Sequence, residues 1–236
     1  QYIRHPELRE LRPRRGHIIS AWLLGTTGRK FVRSLVSNTS KRSVSLVVFH
    51  GRDPKAINES LASAAAQPLP PIEAVVLAPG SAELDRLLAQ DWPFRVTRLD
   101  PVAQDGWRTL RRVIAASHGE LLAFLNAGDR WTETALDRHR RAFGSTLKRV
   151  AFSYGGLAEE AHAAAPLAND PAHRICQMIA HWVPGSLSAM VVDRRALAQL
   201  PNLPLPADCP LWLAIASRLS LEQPGIAVRL RDPAIA

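Results

Sequence analysis

The stretch Gly119-Glu120-Leu121-Leu122-Ala123-Phe124-Leu125-Asn126-Ala127-Gly128-Asp129-Arg130-Trp131 decides how this chain is read. A polar turn leads into an apolar run from Leu121 to Leu125, which stops abruptly in small and polar residues and one carboxylate, Asp129. An unbroken apolar run of this length, bounded by turn residues, is the pattern of a strand buried on both faces of a parallel sheet. Open α/β sheets bind ligands in the crevice beyond the carboxyl ends of their strands, and Asp129 would stand there, placed for a metal or a phosphate. Asn, Gly and Asp are also ordinary turn residues after a strand, so the segment alone leaves both readings open.

Working outward, strands are expected at Val44 to Phe49, Ile72 to Leu77, Phe94 to Leu99 and Leu121 to Leu125. Helices are expected between them at Pro54 to Ala66, Ala82 to Ala89 and Gly106 to Ala116. This alternation specifies an α/β domain: a mostly parallel central sheet with right-handed crossovers and helices on both faces. After Asp129 the pattern loosens into a helix at Thr132 to Phe143, a strand at Arg149 to Tyr154 and an Ala- and Gly-rich stretch from Gly155 to Asp170. A further helix, a strand at Leu187 to Val192, a Pro-rich loop at Pro201 to Pro210 and a helix at Leu211 to Ser220 follow. Acceptor recognition belongs in such an irregular half, because binding residues concentrate on loops held by a rigid scaffold.

The formal charge of +9 is unevenly placed. Residues 1–42 carry ten Lys and Arg against Glu7 and Glu10, a balance of +8 that leaves +1 for the rest. The basic character is therefore an attachment to a nearly neutral body. Two short helices at residues 18–24 and 29–36 are expected in this segment. They read either as packing helices or as an amphipathic contact with an anionic membrane surface. Nucleic-acid binding is not expected, because no aromatic residues interleave the basic ones in a recognisable motif. Cys176 and Cys209 lack metal-ligand spacing, which argues for a reducing compartment and a cytoplasmic location, peripheral to the inner face of the membrane if the basic segment touches it. The longest apolar stretch, Ile18 to Leu24, falls well short of the roughly 20 residues of a membrane span. The chain opens on Gln1 rather than Met, which suggests an excised piece of a longer protein. The expected organisation is a basic segment at 1–42, a nucleotide-binding half at 43–130 and an acceptor half at 131–236.

Taken in order, five blocks resemble family 2 glycosyltransferases of the A-type fold across roughly residues 43–220. They are Phe49-His50-Gly51; Ser60 to Ser63 through Gln67 to Glu73; Gly106 through Ser117-His118-Gly119-Glu120; Phe124 through Trp131; and Asp208 ahead of Pro210-Leu211-Trp212-Leu213. The resemblance implies a nucleotide-diphospho-sugar transferase-like fold and a nucleotide-sugar donor contacted by Phe49, His50, Gly80, Ser81, Arg111 and Asn126. It also implies a divalent cation, Mg or Mn, on Asp129, and Asp208 as catalytic base. Several positions depart from the family pattern. Ala78-Pro79-Gly80-Ser81 replaces the acids that end the second strand, Thr109-Leu110-Arg111 replaces Ala-Arg-Asn, and Asn126-Ala127-Gly128-Asp129 keeps one acid of the metal motif.

Inverting sugar transfer needs a base for the acceptor hydroxyl and positive charge on the departing nucleotide diphosphate. Asp208 could act as that base or cap the helix that follows it. The expected function is transfer of a sugar from a nucleotide-sugar donor to a glycan or lipid-linked acceptor. The alternative is a catalytically inactive glycosyltransferase-like module with an assembly or glycan-binding role.

Overall fold

The computed structural model describes residues 42–49, 52–102, 106–144, 150–155, 170–181, 186–201, 211–222 and 226–230. Apart from Arg42, the basic segment and its two expected helices lie outside the described residues, as do His50 and Asp208.

The strands are β1 (Val44–Phe49), β2 (Glu73–Leu77), β3 (Arg95–Leu99), β4 (Leu121–Asn126), β5 (Val150–Tyr154), β6 (Met190–Asp193) and β7 (Ile226–Arg229). Among the described residues they form one seven-stranded sheet in the order β3-β2-β1-β4-β6-β5-β7. The helices are α1 (Pro54–Ala65), α2 (Ala82–Leu88), α3 (Gly106–Ala116), α4 (Ala135–Gly144), α5 (Pro171–His181), α6 (Arg194–Ala198) and α7 (Leu211–Glu222). The strand pairs β1/β2, β1/β4, β2/β3 and β5/β7 are parallel, whereas β6 runs against both its neighbours, β4 and β5.

The central strands are apolar throughout because both their faces are covered. Val44, Leu46 and Val48 of β1 and Leu121, Ala123 and Leu125 of β4 pack with α1, α2 and α4. Val47 and Phe49 of β1 and Leu122 and Phe124 of β4 pack with α3, α6 and α7. Removing each such Val, Leu or Phe from water is worth about 1.5–3 kcal/mol, so these two strands dominate the apolar drive for the sheet. Edge strand β3, with the sequence RVTRL, is partly exposed and carries two arginines, which discourages pairing with another chain. Trp131 and Trp212 are core anchors, one on each face.

Local chemistry sets the helix starts. Asp53 caps α1, accepting from the Lys55 N–H at 2.9 Å, with Pro54 in the first turn where no N–H is needed. Ser81 caps α2 and Asp193 caps α6 in the same way. The start of α4 falls at Ala135 rather than Thr132, because Thr132 closes a turn instead: its carbonyl accepts from the Ala135 N–H at 3.0 Å and from Gln67 Nε2 at 2.9 Å. Leu187–Ala189, expected as strand, is a 3-10 turn capped by Ser186. Helix α6 and strand β7 escape the sequence reading because five and four residues are too short to show a period.

Two buried charged groups lock the amino end of the sheet. Glu73 accepts from Ser45 Oγ at 2.5 Å, from the His118 N–H at 2.5 Å and from His118 Nδ1 at 2.9 Å. Ser45 Oγ in turn accepts from the Gly119 N–H at 2.8 Å. Residue 119 must be glycine, because a Cβ there would meet the Ser45 nitrogen at 2.4 Å. Arg140, 1% exposed, donates to the carbonyls of Leu69 at 2.5 Å, Pro70 at 3.1 Å and Arg42 at 3.1 Å. This ties α4 to the loop before β2 and to the start of β1. Burial lowers the Arg140 pKa to about 10, which leaves it cationic at neutral pH.

Burial by itself would raise the Glu73 pKa, but its hydrogen bonds from Ser45 and His118 outweigh that and hold it below 4.5. A depressed carboxyl contributes stability that is fully present above its unfolded-state pKa and is lost as pH falls through the folded value. Glu73→Gln is therefore expected to lower the urea midpoint at pH 7, and the gap to wild type should close on acidification below pH 4.5. A gap that is constant with pH would contradict the assignment.

Candidate functional site

The antiparallel direction of β6 builds this site. With Ala123 opposite Val191 and Leu122 opposite Val192, the carboxyl end of β4 meets the chain just before β6. Ser188 therefore sits beside Asn126, whose N–H donates to Ser188 Oγ at 2.7 Å. The Ser188 hydroxyl donates to Asp129 Oδ2 at 2.5 Å. Asn126 Nδ2 lies 3.3 Å from Asp129 Oδ2 and 3.3 Å from Ser186 Oγ. An ionised carboxylate only accepts, so the amide nitrogen of Asn126 faces it and the amide oxygen takes no part in that bond.

The turn that carries Asp129 is held from behind by α1. Ser60 Oγ, fully buried, accepts from the Gly128 N–H at 3.0 Å and lies 2.9 Å from the Asp129 carbonyl oxygen. Ser63 Oγ accepts from the Trp131 N–H at 3.2 Å, and Gln67 Oε1 accepts from the Leu136 N–H at 3.1 Å. Ser60, Ser63 and Gln67 share one face of α1 and its C-terminal extension, so one face supplies partners to backbone groups of the motif and of the segment that follows it. From the strand side, the Phe49 carbonyl accepts from the Ala127 N–H at 2.8 Å. Gly128 has φ of 98°, a left-handed conformation that suits glycine, and the nearest atom to an added Cβ is 3.8 Å away. Its glycine is there for the backbone angle and not for lack of space.

Asn126 and Asp129 lie side by side, with the amide nitrogen of Asn126 and not its oxygen toward the carboxylate. The other expected donor contacts are placed differently. Phe49 is a core residue, 4% exposed, with its ring 5.9 Å from that of Phe124, and its carbonyl serves the motif. Arg111 donates to the carbonyls of Ala198, at 2.8 Å, and Leu200, and lies over the Trp107 ring at 5.7 Å. In this geometry it fastens α3 to the end of α6 and does not reach for a phosphate. Gly80 and Ser81 stand at the end of β2, where Ser81 caps α2 and the Arg98 guanidinium lies against Gly80, within 3.1 Å of where a Cβ would be. Arg98 also pairs with Asp100 at 2.5 Å.

Sequence reasoning missed Ser186, Ser188 and Arg98. The two serines had a signal, a Ser-x-Ser at the start of an apolar run, but it acquires meaning only once β6 is known to run backwards. Among the described residues no group of three or more His, Cys, Asp and Glu could hold a metal ion. None of the described helices is long and apolar enough to cross a membrane. A cation here would rest on one carboxylate. Asp129 Oδ1, which no donor among the described residues occupies, is a hard oxygen of the kind Mg and Mn take alongside phosphate oxygens and water.

The sheet order with its single reversed strand is that of the A-type glycosyltransferase fold, as the solved structures that it matches show. Solved structures with this fold include S. aureus TarS 1-349, at a TM-score of 0.59 and 14% identity, covering 82% of this chain and 59% of that one. Another is glucosyl-3-phosphoglycerate synthase from Mycobacterium tuberculosis, in complex with Mn2+, uridine diphosphate and phosphoglyceric acid. It matches at a TM-score of 0.57 and 16% identity, over 87% of this chain and 74% of that one. TarS 1-349 has also been solved with UDP, and matches at a TM-score of 0.56 and 14% identity, over 82% of this chain and 59% of its own. This chain thus spans about three fifths of the TarS fragment, and what is shared at these identities is the fold. No family model and no curated protein matches the chain.

Ser60→Ala removes a donor to the Asp129 carbonyl and an acceptor for the Gly128 N–H. It is expected to cost about 1–3 kcal/mol of stability, measured as a shift in the urea midpoint. An unchanged midpoint would mean that the Ala56 carbonyl, the other acceptor for Gly128, holds the turn alone.

Proposed function

We propose that this chain is the catalytic domain of a glycosyltransferase that moves a sugar from a nucleotide-sugar donor to a glycan or lipid-linked acceptor, with inversion and with help from a divalent cation. The observation that carries this reading is the Asp129 carboxylate. It lies beyond the carboxyl end of β4, next to β1, and is fixed through Oδ2, while no described residue donates to Oδ1. The known structures with this fold that carry uridine diphosphate and Mn2+ lend it support.

Asp129, with Asn126 beside it, would hold the cation. When bound, the cation supplies positive charge to the departing diphosphate. The chain's own part is to hold the carboxylate still before the donor arrives, which the Ser188 and Asn126 bonds accomplish. Asp208 is proposed as the base that takes the proton from the acceptor hydroxyl.

The non-catalytic module remains the second reading, favoured by Arg111 being engaged with Ala198 and Leu200 and by the lack of an acid from Ala78 to Ser81. Calorimetry with UDP or GDP plus Mn2+ separates the two. Binding that loses its Mn2+ dependence in Asp129→Ala, with sugar transfer abolished by Asp208→Asn, is expected. Wild type that binds neither nucleotide at millimolar concentration would favour the module.

The basic segment 1–42 is proposed to hold the domain near an anionic membrane surface on the cytoplasmic side. Each Lys or Arg close to such a surface contributes about 1 kcal/mol, an attraction that salt screens. Binding of the whole chain to phosphatidylserine vesicles should be strong at low salt, fall as salt rises and be absent with neutral vesicles. No binding at low salt would remove this part of the proposal.

A further inference from the structure

Resting on the glycosyltransferase reading, the geometry points to Ser188 as the residue that commits Asp129 to one-oxygen coordination and so sets which cation the site accepts. Two donors converge on Asp129 Oδ2, the Ser188 hydroxyl at 2.5 Å and Asn126 Nδ2 at 3.3 Å. With its lone pairs engaged there, Oδ2 is a poor metal ligand and Oδ1 is the oxygen that remains. Ser188 is itself over-determined. It is 1% exposed, its N–H donates to Ser186 Oγ at 3.1 Å, and its Oγ accepts from the Asn126 N–H at 2.7 Å. With that acceptance made, its single O–H is free to aim at the carboxylate.

The consequence is chemical. Mg2+ favours near-ideal octahedral geometry with single oxygens from each ligand, whereas Ca2+ readily takes a carboxylate through both oxygens. A carboxylate pinned through Oδ2 offers the first arrangement and withholds the second. In a site with one acid, this pinning places the remaining oxygen without a search through rotamers. Ser188 is a positioning residue: it acts through Asp129 and needs no contact with the donor.

The test is UDP affinity measured by calorimetry on the whole chain without metal, with Mg2+ and with Ca2+. Wild type is expected to gain more affinity from Mg2+ than from Ca2+. Ser188→Ala and Ser188→Cys are expected to lose about tenfold of the Mg2+-dependent gain, as is usual for partners of metal ligands, and to show a narrower Mg2+-over-Ca2+ preference. Metal-free affinity should be unchanged, and Ser188→Thr, which keeps the hydroxyl, should retain the wild-type pattern. The inference is overturned if Ser188→Ala keeps the full Mg2+ gain and preference, or if its metal-free affinity falls by the same factor. Loss of the gain in Ser188→Thr would overturn it as well. Wild type that binds UDP equally with and without cation sinks the role of Ser188 alone. Wild type that binds neither UDP nor GDP sinks the glycosyltransferase reading beneath it.

Discussion

The reversal of one strand governs the functional end of this molecule. Because β6 runs against β4, its beginning and not its end lies beside the end of β4. That single choice brings Ser186 and Ser188 to Asn126 and Asp129, which are about sixty residues away in sequence. A parallel β6 would have brought Asp193 and the start of α6 toward that crevice and left Asp129 without its hydroxyl partner. Sheet direction is thus a determinant of site chemistry here, and not only of topology.

The two ends of the sheet are specialised differently. At the amino end, charge is met within the protein: buried Glu73 accepts hydrogen bonds from Ser45 and His118, and half-buried Asp193 pairs with Arg42 at 3.5 Å. Arg140 adds three backbone acceptors around a buried guanidinium. At the carboxyl end the polar groups are arranged instead to leave one oxygen unspent. Charge satisfied internally stabilises, and charge held ready for a ligand forgoes some of that stabilisation. Ser60 and Ser63 of α1 brace the backbone of the motif from behind, and Gln67, just past the end of that helix, holds Thr132 and Leu136.

Much of this was legible along the chain. Strands β1 and β4 and helix α3 fall where the apolar runs and their turn residues put them, with β1 and α3 matching to the residue. Asn126 and Asp129 were readable because a long apolar strand ending in small residues is a local pattern. Arg111 and Phe49 were misread for a common physical reason. Nothing local distinguishes an arginine aimed at a phosphate from one capping the carbonyls of a distant helix, or an aromatic at a crevice from one in the core.

The layers, the two buried central strands and the position of one acid at a strand end can be read along the chain, since hydrophobic period and turn chemistry are set by neighbours a few residues apart. What that acid touches cannot be read there. The direction of β6, the hydroxyl of Ser188 and the bracing face of α1 depend on pairings across the sheet, and a linear pattern carries no record of which strand will lie beside which.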